Sequence, residues 1–309
     1  MKMISTKCFF CDTSEYLTIH TDAPWEVAKC KGCGYVYTRI RPSREDLPNY
    51  YAADYFKDQR HRKKFFNADG SRRIRDVSYS NRIADVEHHV SKRGNLLEIG
   101  AAKGGFLASL RERGWETDGV EISADGVREA WEDHGIELFC GELEDYTTEK
   151  RYDVICMYQT FEHVWNPAST LAKCRELLKP GGILIIEVPN RKAFEMRYSA
   201  RRREMSYDLP RHLSHFTPEF LARESEKRGF QVLETDNYHA PPVLKFLGMI
   251  NSIRGGSPAQ ESEASPVEKK EVRSIPLMRK ASGTKIRILK ALAKLLPGWR
   301  FTLTLRKKD

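Results

Sequence analysis

Residues 95–106 read NLLEIGAAKGGF, and this stretch decides the fold. The apolar run NLLEI is followed by Gly100 and Gly104, and an amphipathic segment covers residues 105–113. A strand that turns through glycine into a helix is typical of parallel α/β sheets, in which the turn lies at the carboxyl edge. The stretch therefore predicts a β-strand, a tight turn and a helix, with a ligand site above the turn.

The same alternation of apolar runs and amphipathic segments continues to residue 236, which predicts a parallel sheet with helices on both faces. The predicted strands are 95–100, 117–122, 136–141, 152–158, 182–189, 230–236 and a last one at 301–305. The predicted helices are 105–113, 124–134, 168–178 and one that begins after Thr217, its predicted N-cap.

Length and composition exclude several classes of protein. A chain of 309 residues with 40% hydrophobic content can bury a sizeable core. The sequence shows no run of about 18 apolar residues and no signal-peptide pattern, so we expect a cytoplasmic protein that does not span a membrane. The formal net charge of +9 comes entirely from residues 250–309, since the other residues carry equal numbers of each sign. An anionic partner is therefore expected to meet the C-terminal part.

Glu121 ends the second predicted strand, 17 residues after Gly104. A carboxylate at that place suits hydrogen bonds from two ribose hydroxyls, and Gly100 lies at the same predicted edge of the sheet. These residues predict a site for a nucleoside-containing cofactor. NAD is the alternative cofactor, but its G-x-G-x-x-G fingerprint is not matched by GAAKGG at 100–105.

Five motifs in order carry a family resemblance: LLEIGAAKGGF, GVEIS, CGELEDY, YDVICMYQTFEHVWNP and LLKPGGILIIEVPN. They resemble the motifs of class I S-adenosylmethionine-dependent methyltransferases over residues 95 to about 236, and 301–305 resembles the family's antiparallel last strand. The resemblance implies a Rossmann-like, seven-stranded α/β fold and S-adenosylmethionine as cofactor. It departs at Ala102, where glycine is expected, and at Glu142, where aspartate is common.

The resemblance also implies which residues surround each part of the cofactor. The methionine part is expected beside Glu98, Gly100, Ala101 and Gly104, and the ribose beside Glu121 and Ile122. The adenine is expected beside Glu142 and Leu143, and the sulfonium beside Tyr158 and Gln159.

Two cysteine pairs near the N-terminus predict a metal site. Cys8-x2-Cys11 and Cys30-x2-Cys33 are separated by 18 residues, which matches the spacing of a tetrahedral zinc site. Four thiolates leave no open coordination position, so zinc is expected to be structural, and iron in a rubredoxin-like site is the alternative. Short strands are predicted at 16–21 and 35–40. The remaining cysteines, Cys140, Cys156 and Cys174, are expected to be small core residues.

The domain organisation follows from these segments. It is a zinc ribbon at 1–41, a helical connector at 42–94, a cofactor-binding core at 95–240, a partly disordered insertion at 241–285, and a last helix and strand at 286–309. In the connector, Tyr50, Tyr51 and Tyr55 either close over the cofactor or pack the connector on the sheet.

Three histidines are candidates for a general base, because methyl transfer to a hydroxyl requires removal of its proton. His163 lies in FEHVWNP after the fourth predicted core strand, whereas His212 and His215 lie in DLPRHLSHFTP after the fifth. A four-cysteine ribbon ahead of such a core resembles bacterial sugar methyltransferases. That resemblance implies a catalytic histidine in the loop of His212 and His215, so one of these two is preferred. The alternative is that His163 only braces its loop and that one of the later pair only caps a helix.

A zinc ribbon ahead of such a core resembles bacterial methyltransferases of sugar and polysaccharide pathways. The C-methylating members carry a further large domain for which this chain has no room, so we expect O-methylation of a sugar, nucleotide sugar or glycan intermediate. The alternatives are an RNA or protein methyltransferase and a cofactor-binding module without turnover. Few basic residues surround the ribbon, which argues against nucleic acid. The basic segment 275–296 either packs on the sheet or contacts a membrane surface, and no pattern indicates an oligomeric state.

Overall fold

The computed structural model describes residues 2–46, 79–193, 207–238 and 300–309. In these ranges the chain forms a four-stranded sheet and a seven-stranded sheet. The predictions for the three connector tyrosines, for the insertion at 241–285 and for the helix ahead of the last strand lie outside the described residues.

The strands, numbered in chain order, are β1 (Met3–Ser5), β2 (Tyr16–Asp22), β3 (Trp25–Cys30), β4 (Val36–Pro42), β5 (Asn95–Ile99), β6 (Glu116–Glu121), β7 (Phe139–Cys140), β8 (Tyr152–Tyr158), β9 (Leu178–Pro189), β10 (Phe230–Tyr238) and β11 (Arg300–Lys307). The helices are α1 (Ser80–His88), α2 (Gly105–Arg111), α3 (Ala124–His134), α4 (Pro167–Leu177) and α5 (Pro218–Lys227).

The large sheet has the order β10-β11-β9-β8-β5-β6-β7. Strands β5 to β9 pair in parallel, and β11 is antiparallel to both of its neighbours. The chain leaves β5 towards β6 on one side and returns to β8 on the other, which makes the carboxyl ends of β5 and β8 the topological switch point. This arrangement confirms the predicted Rossmann-like methyltransferase fold.

The central strands are buried on both faces, which explains why they read as continuous apolar runs. In β8, Ile155 and Met157 pack in one hydrophobic cluster, whereas Val154 and Cys156 pack in the other. Each of the four side chains is completely buried. Cys174 is buried as expected, but Cys140 is exposed at the end of β7, so the prediction that it is a core residue was wrong.

The predicted strand at 136–141 is reduced to the two residues of β7. Gly135 adopts a left-handed conformation after α3, and the N–H of Ile136 donates to the Ala130 carbonyl. Ile136, which the apolar pattern assigned to the strand, therefore belongs to the C-terminal cap of α3, and the strand begins later. Strand β9 begins at Leu178, earlier than predicted.

The N-terminal sheet is antiparallel, in the order β1-β4-β3-β2. The predicted strands at 16–21 and 35–40 correspond to β2 and β4. The sequence reading missed β1 and β3, although Val27, Ala28 and Cys30 of β3 are buried and contribute to the core.

This N-terminal sheet packs directly on the large domain. The Tyr35 ring stacks on Phe220 of α5 at 5.5 Å between ring centroids, and Phe10 meets Phe220 edge to face at 5.2 Å. Arg41 is completely buried and donates to the carbonyl groups of Thr38, Trp165 and Leu213. Aromatic packing and the hydrogen bonds of the buried Arg41 therefore join the N-terminal sheet to the large domain.

Replacement of Phe220 by alanine is expected to lower the free energy of unfolding by about 3 kcal/mol, because the ring links the N-terminal sheet to α5. Denaturant unfolding measures the change. Glu226→Ala, at an exposed position of the same helix, is the control and should change stability by less than about 0.5 kcal/mol. Equal stability of the two variants would contradict the packing role of Phe220.

None of the helices in the described ranges is long and apolar enough to cross a membrane.

Candidate functional site

The turn between β5 and α2 contains three residues with left-handed backbone: Gly100 (φ 77°), Ala102 (φ 49°) and Gly104 (φ 70°). A Cβ at Gly100 would overlap the Thr160 hydroxyl, so only glycine allows the ends of β5 and β8 to approach this closely. The residues assigned to the methionine part of the cofactor, Gly100, Ala101 and Gly104, therefore share one tight turn at the switch point.

Glu121 lies at the end of β6 and is 9% exposed. Its two carboxylate oxygens accept hydrogen bonds from the N–H groups of Ala102 and Ser123, both at 2.8 Å. Burial raises the pKa of Glu121, and these N–H groups oppose that rise. Each oxygen keeps a further lone pair, so the carboxylate is fixed beside the turn and can accept two ribose hydroxyls. Ile122 follows directly and is half-buried.

Glu98 lies on β5 and is 4% exposed. Burial raises its pKa to about 8, and the nearby Arg82 opposes that rise. Its Oε2 atom has no hydrogen-bond partner among the described residues. A buried acceptor without a partner is costly unless a ligand supplies a donor, and the ammonium group of S-adenosylmethionine is such a donor. The residues present therefore fit this cofactor.

The residues assigned to the adenine lie beyond β7. Leu143 is buried and begins a 3₁₀ turn over Leu143–Asp145. The Glu142 carboxylate pairs with the Arg44 guanidinium at 2.6 Å. Burial raises the pKa of Glu142, whereas Arg44 lowers it. Arg44 therefore already engages the carboxylate that the resemblance assigned to adenine.

The two residues assigned to the sulfonium lie at the carboxyl end of β8: Tyr158 is its last residue and Gln159 follows it. The Tyr158 ring is buried, lies edge to face on Phe106 and has the Arg82 guanidinium 4.3 Å from its centroid. Gln159 has φ 56°, its N–H donates to the Glu187 carbonyl, and its side-chain amide lies 3.4 Å from the Glu187 carboxylate. The backbone at Gln159 thus leaves the strand sharply at the switch point.

His163 lies in the loop that follows β8. Its Nδ1 is 2.9 Å from the Arg211 carbonyl oxygen, which can only accept, so we assign the ring proton to Nδ1. The other ring nitrogen, Nε2, then carries the lone pair and lies 3.8 Å from Oε1 of Glu162. Burial, as the largest cause, lowers the pKa of His163 to about 3. This ring is therefore neutral at physiological pH.

His212 faces the same point from the loop before α5. Its Nε2 lies 4.0 Å from Oε1 of Glu162 and 3.7 Å from Oδ2 of Asp208, and its ring centroid is 4.9 Å from that of His163. Glu162 is 1% exposed, and neither of its carboxylate oxygens has a hydrogen-bond partner among the described residues. Burial raises its pKa to about 8. We call Glu162, His163, Asp208 and His212 the histidine cluster.

His215, the other preferred candidate for the base, is not part of the histidine cluster. Its Nε2 lies 3.2 Å from the Thr38 hydroxyl, and the Tyr207 ring meets its own ring edge to face. Burial, as the first of several causes, lowers its pKa well below the ordinary value. This geometry gives His215 a neutral, packed position against β4, whereas His212 faces two carboxylates.

The four N-terminal cysteines converge at one end of the N-terminal sheet. Their Sγ atoms all lie within 4.8 Å of one another, with Cys8 to Cys33 at 3.5 Å and Cys11 to Cys30 at 3.4 Å. The N–H of Cys33 points to the Sγ of Cys30, as N–H groups do in metal-binding knuckles. A Cβ at Gly32 would lie 3.2 Å from the Cys11 Sγ, so glycine leaves room for the sulfur atoms. The donor set and its spacing fit a tetrahedral, four-thiolate ion.

Sequence reasoning missed Glu162, Asp208 and Arg44. Glu162 directly precedes His163 in the chain. Asp208 lies four residues before His212, and that i, i+4 spacing is a local signal that could have revealed it. Arg44 is 98 positions from Glu142, and no sequence spacing relates the two.

Comparison with known proteins agrees with this arrangement. A family model described as "Methyltransferase domain" matches residues 66–235. A ubiquinone biosynthesis O-methyltransferase of Nitrobacter winogradskyi is 30% identical over 150 residues, which cover 45% of this chain and 57% of that protein. The enzyme of the same name from Coxiella burnetii is 25% identical over 175 residues, 52% of this chain and 74% of that protein. The matched region thus spans little more than half of the Nitrobacter enzyme.

Among solved structures, an S-adenosylmethionine-dependent methyltransferase from Archaeoglobus fulgidus superposes with a TM-score of 0.52. It is 18% identical and covers 82% of this chain and all of its own, a likeness that concerns the fold alone. Because the family model covers more than half of this chain, and because the cofactor turn, Glu121 and the switch point are all in place, the protein belongs to the methyltransferase-domain family.

Proposed function

We propose that this protein methylates a hydroxyl group of a sugar, nucleotide sugar or glycan intermediate, with His212 as the general base. The observation that carries the proposal is the histidine cluster. His212 lies between the carboxylates of Asp208 and Glu162, on loops that flank the switch point. A histidine beside carboxylates at the acceptor side of a methyl-donor site is suited to remove a hydroxyl proton.

His212 is a better base than His163 because of the charges around each ring. The Asp208 carboxylate lies 3.7 Å from Nε2 of His212 and would stabilise the imidazolium that forms when this ring takes a proton from the acceptor. The pKa of His163 falls to about 3 because its ring is buried and His212 lies beside it, so His163 holds a proton poorly. His212 is therefore the ring suited to accept the proton, while Nδ1–H of His163 donates to the Arg211 carbonyl and orients the loop.

S-adenosylmethionine, when bound, supplies an electrophilic methyl group on a sulfonium. The side chains of this protein then have three tasks: Glu121 holds the ribose, Gln159 and the Gly100 turn define the methyl-donor end, and His212 accepts the proton of the acceptor hydroxyl. Alignment of the two reactants is the main contribution of the protein to such an in-line displacement.

The choice of a sugar acceptor rests on the N-terminal sheet with its cysteine knuckles, which resembles the ribbon of bacterial sugar-pathway methyltransferases. The names of the relatives favour a second candidate, a phenolic hydroxyl of a quinone precursor. A sugar hydroxyl is less acidic than a phenol and depends more strongly on a base, so the carboxylate-flanked His212 supports the sugar acceptor.

We further propose that Cys8, Cys11, Cys30 and Cys33 hold a structural zinc ion. Four thiolates would complete a tetrahedron and leave no position for water, so the ion would stabilise the ribbon without taking part in methyl transfer.

Replacement of Glu121 by alanine is expected to weaken S-adenosylmethionine binding at least about tenfold, because the ribose loses two charge-assisted hydrogen bonds. Isothermal titration calorimetry measures the dissociation constant. Glu116→Ala, at the exposed start of the same strand, is the control and should bind like the wild type. Equal affinity of the two variants would remove Glu121 from the donor site.

Replacement of His212 by asparagine is expected to slow methyl transfer about 100-fold or more while donor binding persists, since the base is lost and the donor site is intact. The assay follows labelled methyl from S-adenosylmethionine into a host-cell extract that is separated into nucleotide-sugar, lipid, RNA and protein fractions. His215→Asn should be far less affected in its chemical step.

Each result of this assay has a separate meaning. Label in the nucleotide-sugar fraction that disappears with His212→Asn supports the proposal. Label in the lipid fraction favours a quinone precursor, and label in RNA or protein favours a polymer acceptor. Donor binding without any transfer favours a cofactor-binding module, and full transfer by His212→Asn excludes His212 as the base.

Purified protein is expected to contain one zinc ion per chain, and Cys30→Ser should lose it and unfold the N-terminal sheet. Inductively coupled plasma mass spectrometry measures the metal, and it also distinguishes zinc from iron. Cys140→Ser, at an exposed cysteine outside the four-thiolate group, is the control and should retain the ion. A metal-free wild-type protein with an intact fold would contradict the zinc site.

A further inference from the structure

The ribbon strand β4 has two neighbours along one edge. Strand β1 pairs with Ile40–Pro42, and the segment that carries His212 pairs with the first residues of β4. An antiparallel bridge joins Tyr37 to Ser214, and the N–H of His215 donates to the Val36 carbonyl at 2.9 Å. The N-terminal sheet thus extends, by backbone pairing, onto the loop after β9 that bears the proposed base.

Thr38 makes the most direct of these contacts, and it is completely buried. Its N–H donates to the Leu213 carbonyl at 3.0 Å, and its hydroxyl donates to the His212 carbonyl at 2.7 Å. The same hydroxyl oxygen lies 3.2 Å from Nε2 of His215, from which it can accept. One side chain of the ribbon therefore holds the backbone of His212 and the ring of His215.

The opposite side of the same segment is held by the large domain. The N–H groups of Leu213 and Ser214 both donate to the Glu162 carbonyl, at 2.8 and 3.0 Å. The backbone around His212 thus lies between β4 and the loop after β8. Neither side alone satisfies the hydrogen-bonding groups of the segment, so its position depends on both.

We propose that Thr38 is a positioning residue for His212, and that the ribbon is part of the acceptor side of the active site. This inference rests on the proposed role of His212. Through the Thr38 hydroxyl, β4 sets the distance of the His212 ring from Asp208 and Glu162, and thereby its alignment with the acceptor. The Cys30 N–H donates to the Tyr35 carbonyl directly before β4, so the cysteine knuckle also fixes the start of this strand.

The test compares Thr38→Val, which removes the hydroxyl at nearly constant volume, with Thr38→Ser, which keeps it. Thr18→Val, at an exposed position in β2, is the matched control. We expect Thr38→Val to lower kcat about tenfold to 100-fold, since a small displacement of a catalytic group has this effect, with an unchanged dissociation constant for S-adenosylmethionine. Thr38→Ser should restore most of kcat.

Hydrogen exchange gives a readout that needs no acceptor. In Thr38→Val, amides of 211–216 should exchange faster, whereas those of the central strand 152–158 should not change. Exchange at 211–216 equal to that of the wild type and of Thr18→Val would overturn the positioning role, and so would an equal loss of kcat in the valine and serine variants. Full transfer by His212→Asn would instead refute the proposed base, and the exchange data would still decide whether Thr38 holds the segment.

Discussion

The structure depends on one geometric constraint: parallel strands end at the same edge of a sheet. Because β5, β6, β8 and β9 run in the same direction, the four loops that follow them meet above one edge. The chain adds β6 on one side of β5 and β8 on the other, so the loops after β5 and β8 lead away from each other and leave a crevice between them. The methyl-donor turn, Glu121, Gln159 and the histidine cluster all lie on these loops, although they are far apart in sequence.

Burial of acidic side chains near this edge has an energetic consequence. Glu98 and Glu162 both have a pKa raised to about 8 because they are buried, against an ordinary value of 4.5. The folded state therefore binds protons that the unfolded state releases, and each group lowers the stability as the pH rises from about 4.5 towards 8. A bound ligand that donates a hydrogen bond to such a buried carboxyl group would offset this loss of stability. Both carboxyl groups have an oxygen without a partner among the described residues. In the proposed function, Glu98 would lie at the donor side and Glu162 at the acceptor side of one site.

The parts that could be predicted from sequence are those with local signals. Gly100 and Gly104 stand at fixed offsets after an apolar strand, Glu121 ends the next strand, and the cysteine pairs have the spacing of metal knuckles. Contacts between distant segments have no such signal. Thr38 meets His212 across 174 positions, and nothing in the strand pattern of β4 distinguishes its hydroxyl from any other on that strand. The same holds for Arg44, which pairs with Glu142 through tertiary folding alone. The choice between His212 and His215 likewise depended on the structure. The two residues are three positions apart in one loop, and only the fold shows that the His212 ring faces Asp208 whereas the His215 ring faces Thr38.

A ribbon that merely preceded the catalytic domain would share few buried groups with it. Here Arg41 donates to two carbonyl groups of the large domain, at Trp165 and Leu213, and has no carboxylate partner among the described residues. Burial lowers its pKa to about 10. Keeping a guanidinium buried in this way is costly, and the cost is offset only while those carbonyl groups stay in place. Leu213 is adjacent to His212, so the hydrogen bonds that keep Arg41 charged also hold the segment of the proposed base. The proposed acceptor side would therefore form only when the N-terminal sheet is folded, which links the proposed zinc site to the proposed methyl-transfer site.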